Sequence, residues 1–451
     1  DVLMNLGALR FRQGRYDEAG RMGHALLELE PGSRWAWDLI GVTRYVRSDR
    51  LGALDAWNRI DRLRVPSVRV RDADSGAVIS WAEGVTGIVP GDLLTRGAFL
   101  LGARRLAQVP AFERTRLEYR PQSTMPGGQV EGTVTLRPRH SMTRSALPEH
   151  LLRALGGRIV LEGRPGGSGA VTDGGAEHRT GTSAWSAGGV VDGSLREGSV
   201  ALAHRAPGLE GVWRWELHHA TGRFEAAGAA PLRVRRTGAR WSHGAWVLPL
   251  LKVEGALGAD RWQGRGSYGA AGVAVDLVPG RLPARLRWEA DGWLGDDRFG
   301  RAAFRAEAEF VPLTSTEVGL RGGMDAISRG APPDIVPRFG AGRAVTHPMR
   351  AAELVGSNGT IRPAFPGSTW VHAGVELIRW HAPGGPLRVG GAAFVDAVRV
   401  LDPPPGSTRG AAHPGLGIRL GTSGSSGYLR ADVAIDPAGG DPVFSAAWVG
   451  R

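Results

Sequence analysis

Gly264, Gly266 and Gly269 have the G-x-G-x-x-G spacing of a turn that cradles a phosphate, a task that needs a helix N-terminus directly behind the turn. Val273-Ala274-Val275-Asp276-Leu277 follows instead and alternates as a strand does, so dinucleotide binding is not expected. Lys252 is the only lysine and stands in no phosphate-loop pattern. His218 and His219 are adjacent, without the H-E-x-x-H spacing that puts two imidazoles on one helix face for zinc. No G-x-S-x-G elbow occurs. Cysteine is absent, which excludes disulfides, zinc fingers and thiol nucleophiles. The 44 carboxylates include no pair that stands out from a background of charges spaced two residues apart. No catalytic, cofactor-binding or metal-binding set is therefore expected, and the chain is not expected to be an enzyme. What remains is the chemistry of arginines facing carboxylates, so the elements that would hold them become the question.

The net charge of +12 comes almost wholly from arginine. The compositional bias of a GC-rich genome is the first explanation of this arginine excess; among partners, arginines spread along the chain suit attraction to lipopolysaccharide or anionic lipid better than nucleic acid, which needs them gathered in one block. No run of about 18 apolar residues exists for a transmembrane helix, which leaves a closed barrel as the one way to span a bilayer. The chain begins Asp-Val-Leu-Met and enters a helical pattern at once, so a leader and further repeats are expected upstream.

Residues 1–65 carry a helical repeat. Leu6-Gly7 recurs as Ile40-Gly41, Ala19 as Ala53 and Leu26 as Ile60, each 34 residues on. Trp37, Ile40 and Gly41 fit a W-x2-L-G start, and Pro31 closes the first unit. This resembles the tetratricopeptide repeat, which implies a concave face for a protein partner. A plain helical hairpin is the alternative. Residues 66–139 change character, with a strand at 68–70 and a helix over 94–106 whose face is expected to run through Leu94, Ala98, Leu101 and Arg105. Two strands follow at 115–119 and 130–136, joined by a turn at Gly127-Gly128. Gly87, Ile88, Gly91 and Asp92, then Leu106, Pro110 and Phe112, then Leu117 to Pro121, resemble a POTRA domain; another small α+β domain is the alternative. A linker is expected over 140–156.

From residue 157 to 451 the pattern is strict two-residue alternation broken by Gly, Pro and Asp clusters. Trp213, Trp215 and Leu217 oppose Arg214, Glu216 and His218; Leu286 and Trp288 oppose Arg285, Arg287 and Glu289; Phe304 and Ala306 oppose Arg305 and Glu307. Such a length predicts an antiparallel transmembrane β-barrel of roughly 12–16 strands at about 10 residues each. The apolar set would face lipid and the charged set a wet lumen. In a soluble sandwich the same alternation would point the apolar side inward, but a soluble barrel this wide would leave a lumen that side chains cannot fill.

The last third carries a sharper resemblance. Gly390 to Ala397, with Phe394 and Asp396, resembles the F-x-D-x-G strand of the BamA/TamA superfamily and two-partner-secretion barrels; Val398 stands at its glycine. Gly415 and Gly417 with Arg419, then Arg430 and Asp432, resemble that family's penultimate hairpin. Pro348-Met349-Arg350 stands where the family has an inward-folded loop, with Ala351 and Ala352 in place of its glycine and aromatic. The chain ends Trp448-Val449-Gly450-Arg451, where the family ends on an aromatic residue. The resemblance implies that Arg350 reaches Asp396 on the barrel wall through a bidentate pair. It implies insertion of outer-membrane proteins or translocation of a polypeptide, with no cofactor. Strand-forming polypeptides would be the clients, outer-membrane lipid the surroundings, and the N-terminal part would be periplasmic. The alternative is a tetratricopeptide-bearing scaffold with the barrel as passive anchor or pore.

Overall fold

The computed structural model describes residues 2–121, 128–136, 158–163 and 183–450, the last apart from 193, 206–209, 226–229, 280–282, 314, 342–346, 354, 356–357, 362–364, 382–386, 408, 423–426 and 440. The expected linker at 140–156 and Gly127 of the expected turn lie outside the described residues. The chain forms two compact units, divided between Leu136 and Arg137.

The first unit runs α1 (Val2–Arg12), α2 (Tyr16–Leu29), α3 (Arg34–Val46), α4 (Arg50–Asn58), β1 (Val68–Asp72), α5 (Ser80–Val85), α6 (Arg96–Ala107), β2 (Phe112–Pro121) and β3 (Gly128–Leu136). Helix starts follow their caps: the Asp49 side chain accepts from the Gly52 N–H at 2.9 Å, and Thr95 from Ala98 at 3.0 Å. Successive helices pack through small residues. Gly41 lies so close under the Trp57 indole that a Cβ there would collide with the ring, while Ala19 and Ala53 are fully buried. Leu6 is half-buried beside the buried Gly7, and Trp37 packs partly on the core while its indole N–H donates to the Pro31 carbonyl at 3.3 Å.

The three-stranded sheet has the order β1-β3-β2, with β1 parallel and β2 antiparallel to β3. Its edges are β1 and β2. Gly87 and Gly91 take φ of +67° and +94°, which only glycine adopts without strain, and the Gly91 N–H donates to the Val65 carbonyl at 2.7 Å while the Asp92 carbonyl accepts from Val65 at 2.9 Å. Pro110 turns the chain out of α6 towards Phe112, which stacks on Trp81. α6 buries Phe99, Gly102 and Leu106, not the expected Ala98, Leu101 and Arg105. The buried face thus lies one residue on from the expected one, with Phe99 in the core. The change of pattern near residue 65 is a change of secondary structure and not of packing. Trp57, Leu63, Leu94, Phe99, Tyr119 and Val130 share one core, and the Tyr45 hydroxyl donates to the Tyr119 carbonyl at 3.0 Å. Burial, with Tyr45 beside it, pushes the Tyr119 phenol above its ordinary value.

The second unit consists of β4 (Arg158–Gly163), β5 (Ser183–Asp192), β6 (Leu195–His204), β7 (Val212–Phe224), β8 (Leu232–Leu248), β9 (Leu251–Trp262), β10 (Gly266–Leu277), β11 (Ala284–Leu294), β12 (Arg298–Leu313), β13 (Thr316–Ile327), β14 (Phe339–Ala341), β15 (His347–Glu353), β16 (Thr369–Trp380), β17 (Leu387–Val400), β18 (Gly410–Thr422), β19 (Gly427–Ala434) and β20 (Val443–Gly450). Among the described residues, fifteen of these form one sheet in chain order from β4 to β20, with the short parallel pair β14-β15 set apart. Neighbours in the sheet pair antiparallel, and β13 joins β16 through a long segment, 328–368. That segment meets strands far apart in the sheet. Arg338 donates to Glu197 of β6 at 2.7 Å, and Arg350 to Glu376 of β16 at 2.7 Å. The sheet therefore curls around the segment as a barrel wall. Inward positions carry Asp276, Arg287, Glu289 and Arg305; outward positions carry exposed Leu217, Leu257, Trp288 and Leu416. No helix among the described residues is long and apolar enough to cross a membrane.

Candidate functional site

Inside the barrel, β15 of the 328–368 segment holds Arg350 against the inward faces of β16, β17 and β19. The arginine is 1% exposed. Its Nη2 donates to Glu376 Oε2 at 2.7 Å, and its Nε stands 3.3 Å from Asp396 Oδ2 and 3.4 Å from Asp432 Oδ2. Its guanidinium carbon sits 3.6 Å from the centre of the Phe394 ring. Thus Arg350 and Asp396 are brought together, but not as the expected bidentate pair. The hydrogen bond goes to Glu376, and the Asp396 contact is an ion pair without hydrogen-bond geometry.

Three carboxylates and three further arginines complete the cluster. Arg419 donates to Glu376 Oε1 at 2.7 Å and to Asp432 Oδ1 at 2.5 Å; Arg430 donates to Asp432 Oδ2 at 3.2 Å; Arg321 donates to Asp396 Oδ1 at 2.5 Å. Asp396 and Arg419 are wholly buried. Taking so many charges out of water is tolerable only because each has an opposite charge beside it. The four guanidinium groups exceed the three carboxylates by one.

The backbone makes room for this. Gly415 pairs with Phe394 and Gly417 with Asp432 in the strand register. A Cβ at Gly415 would strike the Phe394 ring, and one at Gly417 would strike the Asp432 carboxylate and the Arg419 guanidinium. The glycines thus let the ring and the ion pairs lie flat against the wall. Arg430 and Asp432 stand two residues apart on the inward face of β19. Arg419 belongs to the hairpin pattern, whereas Glu376 and Arg321 were not singled out by motif. The signal that could have found them is a charge at inward parity on a strand whose other inward positions are apolar or aromatic, as Glu376 is between Ile378 and Trp380 on one side and His372 on the other.

A second attachment lies at the end of the barrel where β7 hands over to β8 and β9 to β10. Ile335 and Ile361 of the segment pack with Leu195, Phe224, Trp262 and Trp293 from the inward faces of the wall. The Trp262 indole N–H donates to Asp334 at 2.9 Å. Charges and an apolar cluster thus hold the same segment at two places. Among the described residues no group of His, Cys, Asp or Glu could hold a metal ion.

No family model matches the chain, and no curated protein matches it in sequence. Among solved structures, CdiB from Acinetobacter baumannii superposes with a TM-score of 0.50 at 12% identity, over 86% of this chain and 74% of that one. CdiB from Escherichia coli gives 0.49 at 13% identity, over 86% and 76%, and BamA from Haemophilus ducreyi lacking POTRA domains 1–3 gives 0.47 at 13%, over 86% and 85%. At such identity the likeness is one of fold: a large antiparallel barrel like that of CdiB from Acinetobacter baumannii.

Proposed function

We propose that this chain works at a bacterial outer membrane, inserting outer-membrane proteins or translocating a polypeptide. One observation carries the reading: the barrel turns apolar side chains outward, with Leu217 65% and Leu416 67% exposed, while a buried charge cluster inside grips a chain segment. In water that outer surface would be costly; in lipid it is the surface expected. The barrel wall is thereby the spanning part, and the clamped 328–368 segment its internal brace.

The N-terminal unit supplies the rest of the proposal. Its β1-α5-α6-β2-β3 order with a β1-β3-β2 sheet supports the POTRA reading. The outer edge of β1 is taken up by residues 77–79, so the β2 edge, which no other described strand pairs, is the one that suits addition of a client strand by backbone pairing. The helical hairpins, spaced 34 residues from Ala19 to Ala53, support the tetratricopeptide reading. A groove of about 290 Å³ between Tyr16, Arg21, His24, Thr43, Arg44 and Arg47 would take a periplasmic partner segment.

Ala351 and Ala352 favour a second reading, in which the barrel is an anchor for the N-terminal unit. Depletion of the protein followed by quantification of outer-membrane and secreted proteins separates the two. Loss of a subset of barrels or secreted chains is the expected result, and an unchanged set would leave the anchor.

A further inference from the structure

Strand β8 poses a contrast. Its inward arginines are paired, Arg236 with Asp260 at 2.8 Å and Arg240 with Asp291 at 2.7 Å. Its outward arginines, Arg233 and Arg235, are exposed and have no carboxylate partner among the described residues. The same holds for the outward Arg223 of β7 and Arg261 of β9. Arg223 and Arg233 stand directly opposite each other in the register, and Arg235 faces Thr221. Like charges directly opposite across a strand pair repel and destabilise the pair. Arg261 faces Thr237, so the four arginines form one patch on adjoining strands.

The patch sits at a defined height. On the same outward faces, Leu217, Trp215, Ala239, Trp241 and Leu257 follow towards the other end of the barrel. Arg235 and Trp241 are six residues apart, which is roughly 20 Å along a strand. The arginines therefore border the apolar belt where headgroups would lie, with Thr237, Gln263 and Ser267 as polar neighbours. The acidic Glu225, in the adjoining turn, has other interactions.

We propose that Arg223, Arg233, Arg235 and Arg261 form a binding surface for a phosphate-bearing anionic lipid, whose headgroup neutralises the opposed arginines while its chains lie on the apolar belt beneath. Four unpaired guanidinium groups fit phosphate oxygens, each of which accepts from a planar fork of donors. An anionic lipid relieves the repulsion within the patch, which a zwitterionic one does only in part. This rests on the membrane-spanning reading of the barrel.

The test uses the full chain and vesicles of phosphatidylcholine with and without phosphatidic acid. Flotation with pure phosphatidylcholine vesicles reports insertion alone, so its failure counts against the spanning reading and not the patch. Lipid selectivity is then read by fluorescence with labelled phosphatidic acid. Replacing all four arginines by glutamine is expected to weaken phosphatidic acid binding by about fivefold per arginine. Inorganic phosphate at equal concentration should compete poorly, because it brings no chains. Should the fourfold variant fail to fold, R233Q alone suffices. It should raise the melting temperature in zwitterionic micelles, where repulsion is relieved, and lower it relative to the parent when phosphatidic acid is present. Equal binding by parent and variants, full competition by inorganic phosphate, or the same sign of stability change in both lipids would overturn the proposal.

Discussion

The two units of this chain solve the same problem in opposite directions. In residues 2–136 apolar side chains go inside: Leu54 and Leu106 are fully buried and Trp57 is 1% exposed. In the barrel the order reverses at the charge cluster, where Arg419 is wholly buried while Leu416, three residues earlier, is 67% exposed. Neither arrangement follows from the side chains alone. A three-stranded sheet with helices packed on it closes over its apolar face, because that leaves no space to fill. A sheet of fifteen described strands encloses a lumen too wide for packing, so its interior must be wet or charged and its exterior must find an apolar phase. Where the lumen is filled, as by Ile335 and Ile361 of the 328–368 segment, apolar packing returns locally.

Truncation should show this contrast most strongly. Trp57→Ala removes a buried indole that also donates to Asp38 at 2.9 Å, and should destabilise the N-terminal unit by about 3–5 kcal/mol. Leu416→Ala on the outer barrel face should cost less, about 1–2 kcal/mol, since lipid fills the space and only the transfer of the side chain from water is lost, with no cavity left behind. Denaturant titration of both variants in vesicles measures the pair. Comparable losses would mean that the outer face is packed and not lipid-exposed.

A charge swap sharpens the comparison within the barrel. Trp288 faces outward beside Phe304, with ring centres 5.0 Å apart. Trp288→Arg should cost about 2–4 kcal/mol in vesicle refolding if it lies near the midplane. Its neighbour Arg287 faces inward and pairs with Asp276 and Glu289, each of which keeps another arginine: Arg285 for the first, Arg301 for the second. Arg287→Ala should therefore be nearly neutral. Equal tolerance of the two would reverse the assigned faces.

The smallest effect distinguishes the partners of Arg350. Double-mutant cycles with Glu376→Ala and with Asp396→Ala should both give coupling, at about 1–3 kcal/mol for the hydrogen-bonded Glu376 and less for Asp396. A larger coupling to Asp396 would mean that the bidentate pair implied by the sequence pattern is the one that forms in the bilayer.

Much of this architecture was legible in the residue order. Alternation separates Trp288 from Arg287 and assigns each strand two faces; Gly41, Ala19 and Ala53 mark where helices touch; Gly415, Gly417, Arg430 and Asp432 mark the wall around Arg350. Such features are local, set by the period of a strand or a helix and by the room a side chain needs. Which alternating set points inward is not local, because it depends on how many strands share the sheet and hence on the width of the lumen. The face of α6 was likewise decided by what packed against it, with Phe99 turned into the core in place of Ala98. Arg350 shows the limit most clearly. The sequence determined that a guanidinium would meet carboxylates on alternating strands, but Glu376 lies 26 residues away and belongs to a different strand from Asp396. Only the curl of the wall brings β16, β17 and β19 around one side chain, and a hydrogen bond goes to the oxygen that this curvature places within reach.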